Sequence, residues 1–436
     1  MDLLLRDCAL ILGSFLESDI SISHFTTDSR RCRKGSLFVA LKGEKYDGHD
    51  FLNDAWAHGA SAAIVSKKGL PSFEGFPCIL VEDSLKALQL LAKKALESIQ
   101  PLVIGITGSV GKTTTKEFIA TILSEEFTVA KTPESYNGQI GLPLTILNAN
   151  SNAKVFVLEM GISYPGEMSK LVEIAPCHIA CVTKVCCAHY ANFSNLDEIA
   201  KEKSTLLQQP YLKKGFYFSE NQKFQTFQTL SSICSPYHVD SLLGFDLPFE
   251  EKHLKENLAL AVRIALHLGV AKEKIQKGIK ALALPVHRFQ KRTLENIPSL
   301  TIIDDTYNSN PIALKTALLS IRLPKVKGRK IGIIGEMKEL GSLSILAHAE
   351  LGIIASLTLD AVFAYGKESK PLYERVVLSG KKGFFFEDKE KLCDALIAYT
   401  EENDLLFFKA SNSNRLWECI DQLEKKQKEM KTFSFL

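Results

Sequence analysis

An apolar run that breaks on a glycine turn and resumes as lysine and three threonines, "LVIGITGSVGKTTTKE" over residues 102–117, constrains this chain more than any other feature. Its uncharged start reads as a buried strand. The glycines at 108 and 111 let successive backbone N–H groups turn toward one point, at the positive end of the helix that follows. Such a turn cradles phosphate. Thr107, Gly108, Ser109, Val110, Gly111, Lys112, Thr113 and Thr114 are therefore candidate nucleotide contacts, with Lys112 reaching the outer phosphates and the Thr113 hydroxyl aimed at Mg2+. The general pattern G-x-x-x-x-G-K-[ST] fails at its first glycine, where Ile106 stands, but T-G-S-V-G-K-T remains. A plain strand-to-helix turn has no need of the lysine or of the hydroxyl beside it.

A phosphate loop of this kind works with an acid at the end of a neighbouring apolar strand, close to the metal. "VFVLEMG" places Glu159 there. Alone, such an acid reads as a surface charge; beside the loop, metal service is the stronger reading.

Strand-like and helix-like segments alternate along the whole chain, which predicts α/β layers. The reading is three domains, at 1–99, 100–287 and 288–436. The first is a small α/β unit with strands at "SLFVAL", "SAAIV" and "CILVED". The second is a phosphate-loop ATPase domain with a mainly parallel sheet, closed by helices at "KHLKENLALAVRIALHLG" and "AKEKIQKGIKALA". The third is Rossmann-like, with strands at "LTIIDD", "KIGIIG", "AVFAYG", "GFFFED" and "LLFFKAS" and a first helix starting at Pro311.

Composition excludes more than it selects. A net charge of +3 over 436 residues gives no reason to expect nucleic acid or a membrane surface as partner. The apolar stretch "LGIIASLTL" stops at Asp360, short of the ~20 residues that a span needs. The start "MDLLLRDCALIL" has neither the basic region nor the unbroken apolar core of a signal peptide, so a cytoplasmic protein is expected. In that compartment the ten cysteines are expected to stay reduced. The cluster "PCHIACVTKVCCAHY" lacks any C-x-x-C pair and reads as a buried strand with thiols in its core rather than as a metal centre.

"GSVGKTTTKE", "VLEMG" and "DDTYNSNP", in that order, resemble the Mur ligases of bacterial cell-wall synthesis, and the likeness runs nearly end to end. It implies that Asp28, Ser29 and Arg30 in "TTDSRRCRKGSLFVALKGEKYDGHDF", with Lys42 nearby, lie at a uridine-nucleotide site. It implies that His189 in "TKVCCAHYANF" is a metal ligand. Lys203, 14 residues further on, corresponds to the lysine that family members carry as a carbamate. It implies that Asn257 meets the adenine, that Arg288 in "PVHRF" joins domains close to the nucleotide, and that Asp305, Tyr307, Asn308, Asn310 and Pro311 fit Asp-x-Tyr-Asn-x-Asn-Pro. "GEMKELG" followed by His348 fits the next motif. Composition alone makes Lys203 a solvated helix lysine and Asp-Ser-Arg a surface turn.

Several positions depart from the family: Glu336 for aspartate, Ser135 and Gly138 around Asn137, Ala191 for an acid, Leu254 after His253, and Asn412 where an arginine is usual. The resemblance implies ATP-driven amide-bond formation, with ATP, two Mg2+ positions and a carbamylated Lys203. Lys112, Glu159, His189 and Lys203 are the catalytic set, and Thr113, Glu159, His189 and Lys203 the metal set. The implied partners are UDP-N-acetylmuramoyl-tripeptide and D-alanyl-D-alanine, and the protein is expected to be a monomer. The alternatives are a neighbouring ligase that adds a diamino acid, a folylpolyglutamate-type ligase, a phosphate-loop motor or switch, and a nucleotide-binding scaffold without catalysis. No arginine stands in "YNSNP" to fix a diamino acid's extra carboxylate.

Overall fold

The computed structural model describes residues 3–67, 75–134, 136–186, 192–294, 297–322 and 325–433. Three sheets follow one another along the chain. A short antiparallel pair, β1 (Leu3–Leu4) and β2 (Ser21–Ile22), precedes them.

The first sheet holds β3 (His24–Thr26), β4 (Ser36–Val39), β5 (Ala60–Val65) and β6 (Cys78–Leu80) in sequence order, all parallel. The second holds β7 (Leu102–Thr107), β8 (Val129–Lys131), β9 (Val155–Glu159), β10 (Ile179–Val182), β11 (Lys214–Phe218) and β12 (Cys234–Tyr237). Its order is β12-β11-β10-β7-β9-β8 and every pairing is parallel. The third holds β13 (Gln290–Leu294), β14 (Ile297–Asp305), β15 (Lys330–Gly335), β16 (Ala361–Tyr365), β17 (Lys382–Phe386) and β18 (Leu405–Lys409), in the order β13-β14-β18-β15-β16-β17. Only the β13–β14 edge is antiparallel.

The strands are apolar throughout because both faces of a parallel sheet are covered. In the second sheet Ile104, Ile106, Val155 and Val157 pack into one core, with Phe118, Ile119 and Leu258 from helices Lys112–Leu123 and Lys252–His267. The alternate residues Val103, Phe156, Leu158 and Val182 pack into another. That second core continues without a break into the first sheet through Leu37, Val39 and Ile64. The bridging element is the helix Ser84–Ile99, capped by the Asp83 carboxylate, which packs its Leu88–Leu91–Ala95 stripe against helix Gly141–Leu147. Asn148 locks the same seam, accepting from Phe25 N–H at 2.9 Å and donating to Phe25 O at 2.9 Å.

Two sequence expectations change here. Cys393 and Cys419 form a disulfide, with Cα atoms 5.3 Å apart. Helices Lys389–Tyr399 and Trp417–Phe433 lie side by side on one face of the third sheet, and both cysteines pack into the same core. Second, the stretch Gly341–Thr358 does have the length and apolar character to cross a membrane. In this fold it buries His348, Leu351 and Ala355 and packs between helices Pro311–Arg322 and Lys370–Leu378.

In each large sheet the strand order reverses direction at one point, β7 in the second and β18 in the third. Ligand crevices form at such points, outside the carboxyl ends of the strands.

Candidate active site

The two crevices open into a single cavity of about 1190 Å3. The turn after β7 forms one wall. Gly108 has φ 149°, and a Cβ there would stand 1.8 Å from Thr183 Oγ1. Gly111 has φ 85° and would collide with Asn257 Oδ1. Both glycines are needed because the backbone passes too close to its neighbours for a side chain. Thr183 fixes the loop from beneath, its hydroxyl donating to Val110 O at 2.6 Å. Ser109 is held as well, donating to Cys186 O and accepting from Cys186 N–H.

Lys112 opens the helix after the turn, and its ammonium donates to Gly108 O at 2.8 Å. Burial pushes its pKa down, the Glu159 carboxylate pulls it up and Arg288 pushes it down again. Thr113 is buried, and its hydroxyl accepts from Arg288 Nη2 at 2.8 Å. Arg288 comes from the segment entering the third sheet and lies 3.9 Å over the Tyr307 ring. It thus joins the second and third sheets across the nucleotide crevice. The residues on either side of it, His287 and Phe289, have φ of 61° and 56°. This strained backbone is held by the buried Asp304, which accepts from His287 Nδ1 at 2.7 Å, and by Asp305, which accepts from Phe289 N–H.

Glu159 ends β9, in register with Ile106 of β7. Its Oε1 accepts from Asn137 Nδ2 at 2.7 Å, while Oε2 is buried with no hydrogen-bond partner. A buried carboxylate oxygen left open in a cavity that a threonine hydroxyl also lines is a donor set that suits a hard cation. The Arg288 Nε is likewise buried without a partner, which leaves an N–H for an anion.

Asp305 ends β14 opposite Lys409 at the end of β18. Lys409 is buried and donates to Asp305 Oδ2 at 2.6 Å and to Asn308 O at 3.0 Å. Asn310 caps the helix Pro311–Arg322 by accepting from Ala313 N–H. Its side-chain oxygen therefore shapes the chain. His348 is also structural: it donates from Nδ1 to Ser344 O and accepts at Nε2 from Met337 N–H.

The cavity brings together Ser109 to Thr114, Glu159, Asn257, Arg288, Asp305, Tyr307, Asn308 and Asn310, with Asn412 on the far wall. Thr107 lies beneath the loop, fully buried. Asp28, Ser29, Arg30 and Lys42 stand apart on the first sheet. Asp28 caps a 3-10 turn and holds the exposed Arg30 in a two-pronged pair at 2.9 and 2.8 Å. Lys203 lies in helix Leu196–Ser204 and is buried, not solvated; burial brings its pKa down to about 7, with Lys112 as a further cause. His189 lies outside the described residues. Among the described residues no group of three His, Cys, Asp or Glu gathers. Cys177 and Cys181 are buried core thiols with raised pKa values.

Sequence reasoning missed Lys116, Thr132, Thr183 and Lys409. Two carried a signal. Lys116 follows Lys112 by one helical turn on a helix whose neighbouring positions are buried, and Lys409 is a lone charge closing the apolar strand "LLFFK".

The chain matches the Mur ligase family catalytic domain over residues 21–95, the Mur ligase middle domain over 106–233 and the Mur ligase glutamate ligase domain over 287–412. It is 31% identical over 423 residues, 91% of this chain and 92% of the relative, to the UDP-N-acetylmuramoyl-tripeptide--D-alanyl-D-alanine ligase of Bacillus subtilis. Identity to the enzyme of the same name from Synechocystis is 31% over 440 residues, 96% of this chain and 95% of the relative. A crystal structure of MurF ligase from Thermotoga maritima in complex with ADP superposes with a TM-score of 0.78 at 27% identity, covering 93% of this chain and 98% of that one. MurF from Acinetobacter baumannii shares the fold with a TM-score of 0.83 at 24% identity, covering 98% and 99%. This chain belongs to the Mur ligase family.

Proposed function

We propose that this protein uses ATP to join D-alanyl-D-alanine to UDP-N-acetylmuramoyl-tripeptide, giving the pentapeptide precursor of peptidoglycan. The observation that carries the reading is the single cavity in which the phosphate loop, Glu159, Arg288 and the Asp305–Asn310 segment converge. Relatives that share the chain from end to end carry the matching name.

A carboxylate is a poor electrophile. Attack of its oxygen on the γ-phosphorus, with ADP leaving, gives an acyl phosphate. The amine of the dipeptide then adds to that carbonyl, the tetrahedral adduct expels phosphate, and the ammonium proton passes to solvent or base. Catalysis here is chiefly positioning and charge neutralisation. Lys112 leaves Gly108 O to meet the transferring group, and the open Arg288 N–H meets a phosphate oxygen. Thr113 and Glu159 would hold Mg2+, which when bound would supply charge neutralisation at the phosphoryl oxygens. His189 and a carbamylated Lys203 are proposed to hold a second Mg2+ beside the substrate carboxylate; the depressed Lys203 pKa supports this, because only the neutral amine adds CO2.

In the same proposal residues 1–99 take the uridine nucleotide through Asp28, Ser29, Arg30 and Lys42, residues 100–287 take ATP with Asn257 at the adenine, and residues 288–436 present the dipeptide to Tyr307, Asn308 and Asn310. Action as a cytoplasmic monomer belongs to it too. The test is mass spectrometry of products from the uridine-linked tripeptide, D-alanyl-D-alanine and ATP. The expected products are the pentapeptide nucleotide and ADP in equal amounts. ADP release without a pentapeptide would overturn the reading.

A further inference from the structure

Lys116 is fully buried, yet nothing in the reaction above uses it. Its ammonium donates to Thr132 O at 2.6 Å and to Glu134 O at 3.3 Å, the carbonyls of the chain leaving β8. It also lies 3.2 Å from Glu117 Oε1 and 3.9 Å from Glu159 Oε2. Glu159 is thereby surrounded. Asn137 binds Oε1, the Thr132 hydroxyl accepts from the Glu159 backbone N–H at 2.9 Å, and the ammonium faces the open Oε2 without bonding it. Glu134, whose carbonyl Lys116 binds, has a left-handed φ of 44°, a conformation that needs outside support.

A lysine is costly to bury, and a core position on the first turns of this helix could hold a leucine. The cation is placed where it ties three elements to one carboxylate: the helix that carries Lys112 and Thr113, the segment after β8, and the end of β9. We infer that Lys116 is a positioning residue for the metal-binding carboxylate. It holds the chain at Thr132 and Glu134 so that the Thr132 hydroxyl and Asn137 fix Glu159, and it orients Oε2 toward the cation without consuming it. The inference rests on the proposal that Glu159 and Thr113 take Mg2+.

The test is calorimetric titration of Mg2+ into the ADP-bound protein, with Mn2+ binding followed by electron paramagnetic resonance as a second readout. Wild type comes first: absence of metal binding there would remove the Mg2+ reading itself. Given wild-type binding, Lys116→Met is expected to weaken metal affinity about tenfold or more, with metal-free ADP affinity changed less than twofold. Lys116→Gln, which keeps a donor for Thr132 O, is expected to fall between the two. Glu117→Gln, which alters only the outer side of the network, is expected to stay within twofold of wild type. Folded Lys116→Met and Lys116→Gln proteins with wild-type metal affinity would overturn the inference. So would failure of both to fold, because Lys116 would then be a stability residue of the core.

Discussion

Replacing Lys203 by methionine should make the protein more stable and inactive at once. Lys203 is 2% exposed, and burial, with Lys112 nearby, moves its pKa from the ordinary 10.5 to about 7. The unfolded chain still binds a proton at pH 7 to 10.5 where the folded chain does not, so folding must discharge the ammonium. The difference of about 3.5 pKa units corresponds to roughly 5 kcal/mol at about 1.4 kcal/mol each. Water drawn to a charged buried ammonium reduces that cost, and about 2–4 kcal/mol is expected. The sign follows from the depressed folded value: the penalty is complete below pH 7, shrinks as pH rises, and is gone above 10.5. In CO2-free buffer at pH 7, Lys203→Met should therefore unfold later than wild type, by roughly 5–15 °C for a unit the size of the middle domain. The advantage should narrow toward pH 10. Bicarbonate at pH 8 should stabilise wild type and leave the variant unmoved, because only the lysine amine can take up CO2. Circular dichroism melts across pH measure this, and 13C-bicarbonate NMR reads the carbamate. A variant less stable than wild type at pH 7, or a gain independent of pH, would refute the reasoning.

Lys112→Ala should fold normally and lose turnover by at least about a hundredfold, since a charge-assisted contact to the transferring phosphoryl group is worth roughly 3 kcal/mol; steady-state kinetics with a melting control checks it. Arg288→Ala breaks both the 2.8 Å bond to Thr113 and the stack on Tyr307. It should raise KM for ATP by roughly tenfold or more, from a charged hydrogen bond worth about 1.5–3 kcal/mol. Offered both uridine-linked acceptors, D-alanyl-D-alanine and a diamino acid in one tube, the enzyme should make only the pentapeptide. A site of neutral hydrogen-bonding groups rejects a ligand that leaves them unpaired, at roughly 1–3 kcal/mol each; product masses decide.

What was legible in the sequence is what depends on short-range pattern. The strand, glycine turn and helix at 102–123 came from local spacing, and the structure supplies the missing reason for the glycines in Thr183 and Asn257, which are distant in sequence. The β13–β14 edge was not legible, because an antiparallel edge strand with two adjacent cations, "QKRTL", lacks the apolar run by which its neighbours were found. The disulfide was not legible either: it depends on two helices landing side by side, and 26 residues of separation say nothing of that.

Charge is where sequence reasoning falls furthest short, because a lysine's role is set by what covers it. Composition alone makes Lys203 a solvated helix lysine and gives Lys116 no role, yet both are buried, with opposite consequences. Lys116 meets two carbonyls and two carboxylates. Lys203 meets burial and a like charge, and its pKa falls. The same logic bears on Asn412, where the family's arginine is missing. Two lysines of the third sheet's region line the cavity near it, and both are committed: Lys409 to Asp305 at 2.6 Å, and Lys338 to Glu336 at 2.6 Å and Glu368 at 3.4 Å. In the proposed reaction a dipeptide carboxylate at this end would meet amide and hydroxyl donors, such as Asn412 and Ser411, rather than a free cation. Neutral donors hold a carboxylate about half as strongly as charged ones. On that proposal, selectivity at this end of the cavity would come from the number and direction of hydrogen bonds more than from charge, the arrangement that penalises a ligand carrying an additional carboxylate.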